Sequence, residues 1–326
     1  MAGLGANVLT LADWAKRVDP DGTVPQIVEL MSETNEILQD ALFVEGNLPT
    51  GHRTTVRTGL PSVVWRKLNY GVQPSKSTTR QVDDTCGMCE AYSKVDVDLM
   101  RLNGNDPGFR LSEELPFLEA MNQEMAGGLF YFDTDTEPEK FLGLANRYPT
   151  LSTSNVVTAS GTGSDLTSMW LVVWGPNTVH CIFPKGSKAG LQQQDLGIKV
   201  VEDDQTPAGI YQAYMTHWKW DVGLCVRDWR YVVRICNIES TGTSNIIDPD
   251  LMIDAVAKLP SIRSVGGGRA VWYCNKTVWA QLCKLAMDKS NASLSWGEIF
   301  GKRVLMFWDI PIRQVDQLLI TESALV

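Results

Sequence analysis

The chain has 326 residues, of which 44% are hydrophobic, 21% charged and 9% aromatic, a globular composition that excludes a disordered tail or a fibre. A chain of this mass exposes about 13,000 Å² when folded against about 52,000 Å² unfolded, so core size is not limiting, and the length suggests about two domains. The formal charge of -9 and pI near 4.9 argue against nucleic-acid affinity as the main property, and the longest apolar stretch, Met169 to Trp174, is about a third of a membrane span.

The N-terminus lacks an early positive residue and meets Asp13 too soon for a secretory segment, so the chain is expected to be made and kept in the cytoplasm. Thr10 can cap a helix over LADWAKRV, and Ile27, Leu30, Met31, Leu38 and Leu42 fall near helical spacing behind Pro25, so the first forty-odd residues read as an arm of two short helices. From Asn47 to Val82 the composition changes: Arg53, Arg57, Arg66, Lys67, Lys76 and Arg80 are present with no Asp or Glu. This stretch is β-branched, aromatic and broken by turn residues at 59–61 and 73–75, which predicts a long hairpin with little core of its own.

The sign then reverses. Asp83 to Glu139 holds fourteen acids against Lys94, Arg101 and Arg110. Within it, Ser112 and two acids open a helical pattern in which Leu118, Met121, Met125 and Leu129 share one face, predicting a long helix that ends near Gly127 and Gly128. A loop with a short helix follows over 130–152. Strands are expected in SMWLVVW, TVHCIFP, GIKVVE, KWDVGLCVRD, YVVRICNIES, AVWYCN and RVLMFWDIPIRQVD, and helices at IIDPDLMIDAVAKLP and KTVWAQLCKLAMDK.

Motifs for chemistry are sparse. Gly161 to Ser164 and Gly266 to Arg269 fit neither phosphate-loop pattern and read as surface loops. The seven cysteines are too scattered for a disulfide framework; Cys86 and Cys89 lack a second ligand pair for zinc and read as two thiols near a strand turn. His52, His180 and His217 lie in three segments, so a His-centred hydrolase would need tertiary coincidence, and no GxSxG elbow is present. His180 alternates as a sheet-face residue. Acid pairs such as Asp133 with Asp135 and Asp203 with Asp204 read as solvated turns, and the tryptophans as core or interface mass. Neither catalytic residues, nor a metal, nor a cofactor is expected.

Charge segregation remains. A basic hairpin that buries little against itself should find surface elsewhere, and the acidic helix of a second copy is its counterpart, with Glu113, Glu114, Glu119 and Glu124 as the facing acids. Opposite patches at different places on one chain make a heterologous contact that propagates into rings or lattices, so self-assembly is the leading expectation.

The order of arm, basic hairpin, acidic-headed helix and mixed domain resembles the major capsid proteins of tailed bacteriophages with the Hong Kong-97-like fold, and most of all those of short-tailed phages. Phe130 to Ser152, Phe183 to Asp204, Tyr211 to Ile238 and Met306 to Glu322 carry the likeness. The resemblance implies an α+β chain with an N-terminal arm over 1–46, an E-loop hairpin over 47–95, a peripheral domain with a spine helix over 96–155 joined by part of the C-terminal strands, and an axial domain with the C-terminal strands over 156–326. It further implies pentamers and hexamers in an icosahedral shell around double-stranded DNA, assembled in the host bacterial cytoplasm. Implied partners are a portal protein, possible cement or scaffold proteins and packaged DNA in non-specific contact, with no membrane. Some relatives cross-link Lys to Asn; Lys67 and Lys76 lie in the right segment, but nothing identifies an acceptor, and that chemistry is not carried over. The alternatives are an α+β enzyme whose basic loop closes over an anionic substrate, and a tail-tube or connector component.

Overall fold

A computed structural model describes residues 33–102, 104, 107–203, 209–260, 268–287, 293–299 and 302–326. The first predicted helix, the second up to residue 32, Asp204, Gly266, Gly267, Asn291 and Ala292 lie outside the described residues; of the rest of the second helix only Ile37–Asp40 is helical, because Ala41 is already extended and Leu42 leads into the next strand. The chain divides into two compact units, each discontinuous in sequence.

The larger unit is organised by β5 (Leu166–Trp174), whose nine side chains are all buried. Burial of every side chain, with only Thr167 and Ser168 polar, suits a strand covered on both faces. It pairs antiparallel with β9 (Val232–Glu239) on one edge and with β10 (Arg269–Cys274) on the other. Beyond β10 lie β13 (Ile310–Gln314, parallel), β12 (Lys302–Phe307) and β11 (Leu294–Ile299). On one face of β5, Met169, Leu171 and Val173 join Trp272, Phe307 and the helices α5 (Pro249–Lys258) and α6 (Lys276–Ala286), which contribute Met252, Ala255, Val278 and Leu282. Both helices start as their sequences dictate: Asp248 accepts from the Asp250 N–H with Pro249 in the first turn, and Asn275 accepts from the Thr277 N–H. On the opposite face Trp170 packs with Phe130 and Tyr148 beneath the Arg234 guanidinium.

RVLMFWDIPIRQVD was expected as one strand and is two. Trp308 and Asp309 both adopt positive φ, 48° and 64°, the conformation of a two-residue hairpin turn. The C-terminal segment is fixed by Glu322, which is buried and accepts from Arg234 Nη2 (2.9 Å), Ser168 Oγ (2.5 Å) and Tyr131 Oη (2.5 Å).

The predicted long helix is present but longer at both ends. It spans Pro107–Tyr131 as α3, following α1 (Ile37–Asp40) and α2 (Val97–Leu102). Ser112 does not cap it: its hydroxyl donates to the Phe109 carbonyl from inside the first turns. The helix also runs through Gly127 and Gly128 instead of stopping there, because these glycines serve packing. A Cβ at Gly128 would lie 2.2 Å from the Phe132 ring, and one at Gly127 would lie 3.2 Å from Gln317 Oε1.

In the smaller unit, Val95, Leu99, Met100 and Phe109 form a core with Tyr214 against it. Here β7 (Gln192–Glu202) pairs antiparallel with the first part of β8 (Ile210–Val226), through a bulge where Gly197 takes φ 68° and donates to Asp195 Oδ1.

The hairpin consists of β2 (Gly51–Gly59) and β3 (Thr78–Asp96), in antiparallel register from Gly51 opposite Thr85 to Gly59 opposite Thr78. Cys86 and Cys89, expected near a strand turn, sit inside β3, whose alternation carries on to Asp96. At the root the strands approach closely: a Cβ at Gly51 would lie 2.0 Å from the Asp84 carbonyl oxygen, and one at Gly223 of β8 would lie 2.4 Å from that of Thr85. Two short strands, β1 (Phe43–Glu45) and β4 (Val156–Thr158), flank β6 (Val179–Phe183) and β9 respectively, and α4 (Leu144–Arg147) is the short helix of the 130–152 segment.

Candidate assembly surface

Residues 60–77, between the two ladder strands, have no regular structure and are exposed almost throughout. The segment holds itself by local bonds: Tyr70 N–H to the Lys67 carbonyl (3.2 Å), Arg66 Nε to the Tyr70 carbonyl (3.1 Å) and Ser75 Oγ to the Ser62 carbonyl (2.8 Å), with Asn69 at φ 68°. It presents apolar side chains to solvent: Leu60 is 82% exposed, Val63 94%, Trp65 99% and Leu68 90%. Large apolar groups gathered on one projecting segment mark an interaction surface, whereas scattered ones do not.

The six cations of the hairpin divide by position. Arg53 is opposite Asp83 in the ladder and forms a two-pronged pair with it, Nε to Oδ1 at 2.6 Å and Nη2 to Oδ2 at 2.7 Å. That bond holds the Asp83 carboxyl below its usual range and raises the guanidinium. Arg57, Arg66, Lys67, Lys76 and Arg80 have no carboxylate partner among the described residues and are exposed. Beside the stem, Thr54 to Leu60 with Asn177, Trp229, Arg227 and Arg230 line an open cleft of about 530 Å³. Arg57 adds its charge there to Arg227, which is held by the Pro176 carbonyl and Asn177, and to Arg230, which is paired with Asp228.

The four acids named on α3 also differ. Glu114 is buried, accepting from Arg110 Nε (2.9 Å) and Thr216 Oγ1 (2.6 Å), while Arg110 Nη2 reaches Asp195 at 2.8 Å. It is an internal strut of the smaller unit and is not presented to solvent. Glu119 is half-buried and takes the Glu33 N–H (2.9 Å) and Gln123 Nε2 (3.0 Å). Glu113 is half-buried and Glu124 exposed. Sequence reasoning placed all four on one acidic surface; it missed that Arg110, one turn earlier, faces Glu114 at the i, i+4 spacing.

At the root of the hairpin the fold gathers residues that the sequence keeps apart. His52 and His180 meet edge to face with ring centroids 5.8 Å apart, and donor atoms of His52, His180 and Cys225 all lie within 4.8 Å of one another. Burial lowers His52 and pushes His180 down to about 4, and burial pushes the Cys225 thiol up to about 12. Only strand register could have revealed this grouping, since His180 is directly opposite Cys225 and His52 directly opposite Asp84. His217 is elsewhere, stacked on Tyr92 with Glu90 at 3.2 Å.

Residues 19–326 match a family model described as major capsid protein GP7. Among solved structures, the chain is 35% identical to the protein in a near-atomic resolution structure of bacteriophage Epsilon15, with a TM-score of 0.78 over 100% of this chain and 99% of that one. More distant likenesses include a structure from Mycobacterium phage Adephagia (9% identity, TM-score 0.43, 67% of this chain and 92% of that one) and the SrpI encapsulin complex from Synechococcus elongatus (12%, 0.42, 72% and 98%). These two share too little geometry to bear on function. No curated protein matches the chain.

Proposed function

This chain belongs to the major capsid protein GP7 family, and from that premise we propose that its exposed hairpin is the element by which one copy grips the next. The chain is a major capsid protein, a structural component of a phage shell, with an α+β fold of the Hong Kong-97-like type. In our reading residues 47–95 act as the E-loop, 96–155 as the peripheral domain with its spine helix and 156–326 as the axial domain. Copies form pentamers and hexamers that close an icosahedral shell around double-stranded DNA. Assembly takes place in the host cytoplasm, with a portal protein at one vertex and with cement or scaffold proteins as further partners.

The observation that carries this reading is the tip over 60–77, which combines exposed Leu60, Val63, Trp65 and Leu68 with cations that have no carboxylate partner within the described chain. A lone chain leaves both kinds of group uncovered; a neighbouring copy covers both. In this docking Arg57, Arg66, Lys67, Lys76 and Arg80 meet Glu113, Glu119 and Glu124 of the neighbour, while Arg53 and Glu114 brace their own subunit. Each exposed ion pair contributes only about 0 to 1 kcal/mol, so the charges set register and the apolar tip supplies most of the attraction. Repetition around a shell multiplies such contacts. The net charge of -9 fits a wall that contains DNA without holding it tightly.

Electron microscopy and sedimentation of the chain expressed alone test the proposal, beside a variant with Arg66, Lys67 and Arg80 changed to Glu. Shells or capsomer-like rings from the parent, and a folded, unassembled chain from the variant, are expected. Equal particle yields from both would overturn the docking, and a parent that stays a compact monomer or dimer in every buffer would overturn self-assembly by this chain alone.

A further inference from the structure

We propose that His52, His180 and Cys225 bind a borderline-soft divalent cation of the Zn²⁺ class at the root of the hairpin. Three strands deliver the donors. Register sets His180 on β6 opposite Cys225 on β8, and the hairpin brings His52 on β2, with Asp84 opposite it on β3. The three donor atoms lie within 4.8 Å of one another. Bonds of about 2.0 to 2.3 Å to a tetrahedral ion require separations of roughly 3.3 to 3.8 Å, so closure needs side-chain movements of about 1 Å.

A second observation points the same way. His180 is 1% exposed, and its Nδ1 has no hydrogen-bond partner. The ring also lies against the Gly175 backbone, an orientation suited to the tautomer that leaves a lone pair on Nδ1. A bond from the far ring nitrogen to a backbone carbonyl is the usual way an imidazole ligand is aimed. A buried, unpaired acceptor costs stability unless something fills its place, and a cation is the partner that the neighbouring imidazole and thiol also suit.

The surroundings permit the charge. Arg147 is engaged by Asp84 (2.8 Å) and the Leu224 carbonyl (3.0 Å), and Arg227 by the Pro176 carbonyl and Asn177. A neutral imidazole has no proton to lose on ligating a metal. Cys225 does: as its sulfur bonds the metal, the thiol proton passes to water, leaving a thiolate that offsets half of the ion's charge. The Asp84 carboxylate or a water completes the fourth position. His52 Nδ1 accepts a long bond from the Asn47 N–H (3.3 Å), and a cation bound through Nε2 would require the ring to change tautomer and give that bond up. The bound ion would tie the hairpin to β6 and β8.

The test uses the full chain, stripped with a chelator, loaded with Zn²⁺, dialysed and assayed for metal, with Co²⁺ loading as a spectroscopic probe. Expected are about one Zn²⁺ retained per chain and a thiolate-to-Co²⁺ charge-transfer band. His52→Asn should weaken binding at least about tenfold, Cys225→Ser should abolish the band, and Cys283→Ser should change neither. His52 is only half-buried, so its variant keeps the test decisive if changes at the buried positions disturb folding. No retained Zn²⁺, or the same content in the parent, His52→Asn and Cys225→Ser chains, would overturn the site.

Discussion

Replacing Glu322 by alanine should destabilise the larger unit by about 3 to 5 kcal/mol, the cost of breaking a buried ion pair by removing one partner. The geometry sets that scale. The side chains of Arg234 and Glu322 are only 5% and 6% exposed, and Glu322 also accepts from Ser168 and Tyr131. After truncation Arg234 keeps the Tyr148 carbonyl and Ser168 Oγ (both 3.0 Å), but Nη2 loses its acceptor inside the protein. For a unit of this size each kcal/mol moves the melting temperature by about 2 to 4 °C, so a fall of about 10 °C is expected in thermal unfolding of the unassembled chain followed by circular dichroism. Replacing both partners, Arg234→Met with Glu322→Leu, should recover much of the loss, because the remaining charge is no longer stranded. The exposed pair Arg101 with Asp98, 65% and 82% exposed, supplies the contrast: Asp98→Asn should stay within about 0.5 kcal/mol of the parent. A Glu322→Ala chain within about 1 kcal/mol of the parent would refute the claim that this pair locks the C-terminal segment.

Gly51→Ala should cost about 1 to 3 kcal/mol or more, since its Cβ would meet the Asp84 carbonyl oxygen at 2.0 Å; a urea midpoint unchanged from the parent would contradict the close crossing at the hairpin root. Trp65→Ala, at a position 99% exposed, should leave chain stability within about 0.5 kcal/mol yet sharply reduce particle yield by sedimentation, because a docked indole buries about 150 to 250 Å²; loss of stability without loss of particles would reverse that assignment. Arg110 holds the Asp195 carboxyl below its ordinary value of 3.8. Its contribution is therefore fully present above about pH 3.8 and is lost as pH falls through the lower folded-state value. Asp195→Asn should flatten this part of the acid limb in a pH titration followed by circular dichroism, and an acid limb identical to the parent's would contradict the pairing.

Local signals in the sequence were reliable wherever local physics decides the structure. The all-apolar run at Met169 to Trp174 became the central strand, and Asp248 with Pro249 began a helix where their capping chemistry placed it. The basic, acid-free stretch from Asn47 to Val82 became a hairpin whose apolar side chains between the ladder strands stay exposed. Errors arose where a tertiary neighbour redefined a residue. Gly127 and Gly128 read as a helix end until Gln317 and Phe132 are seen against them. Glu114 reads as surface charge until Arg110 and Thr216 enclose it. Trp308 is an unusual residue for a left-handed turn position and no glycine accompanies Asp309, so the break between β12 and β13 was hidden. The grouping of His52, His180 and Cys225 depends on strand register across 173 positions of chain, and no periodicity carries it.

The most direct test of the docking is zero-length carbodiimide cross-linking of particles assembled from a mixture of ¹⁴N- and ¹⁵N-labelled chains, read by mass spectrometry. Mixed-isotope links from Lys67 or Lys76 to Glu113, Glu119 or Glu124 are expected if the hairpin of one copy lies on the acidic helix of another. Links to those acids found only within chains of one label, or hairpin lysines joined only to other acids, would contradict it.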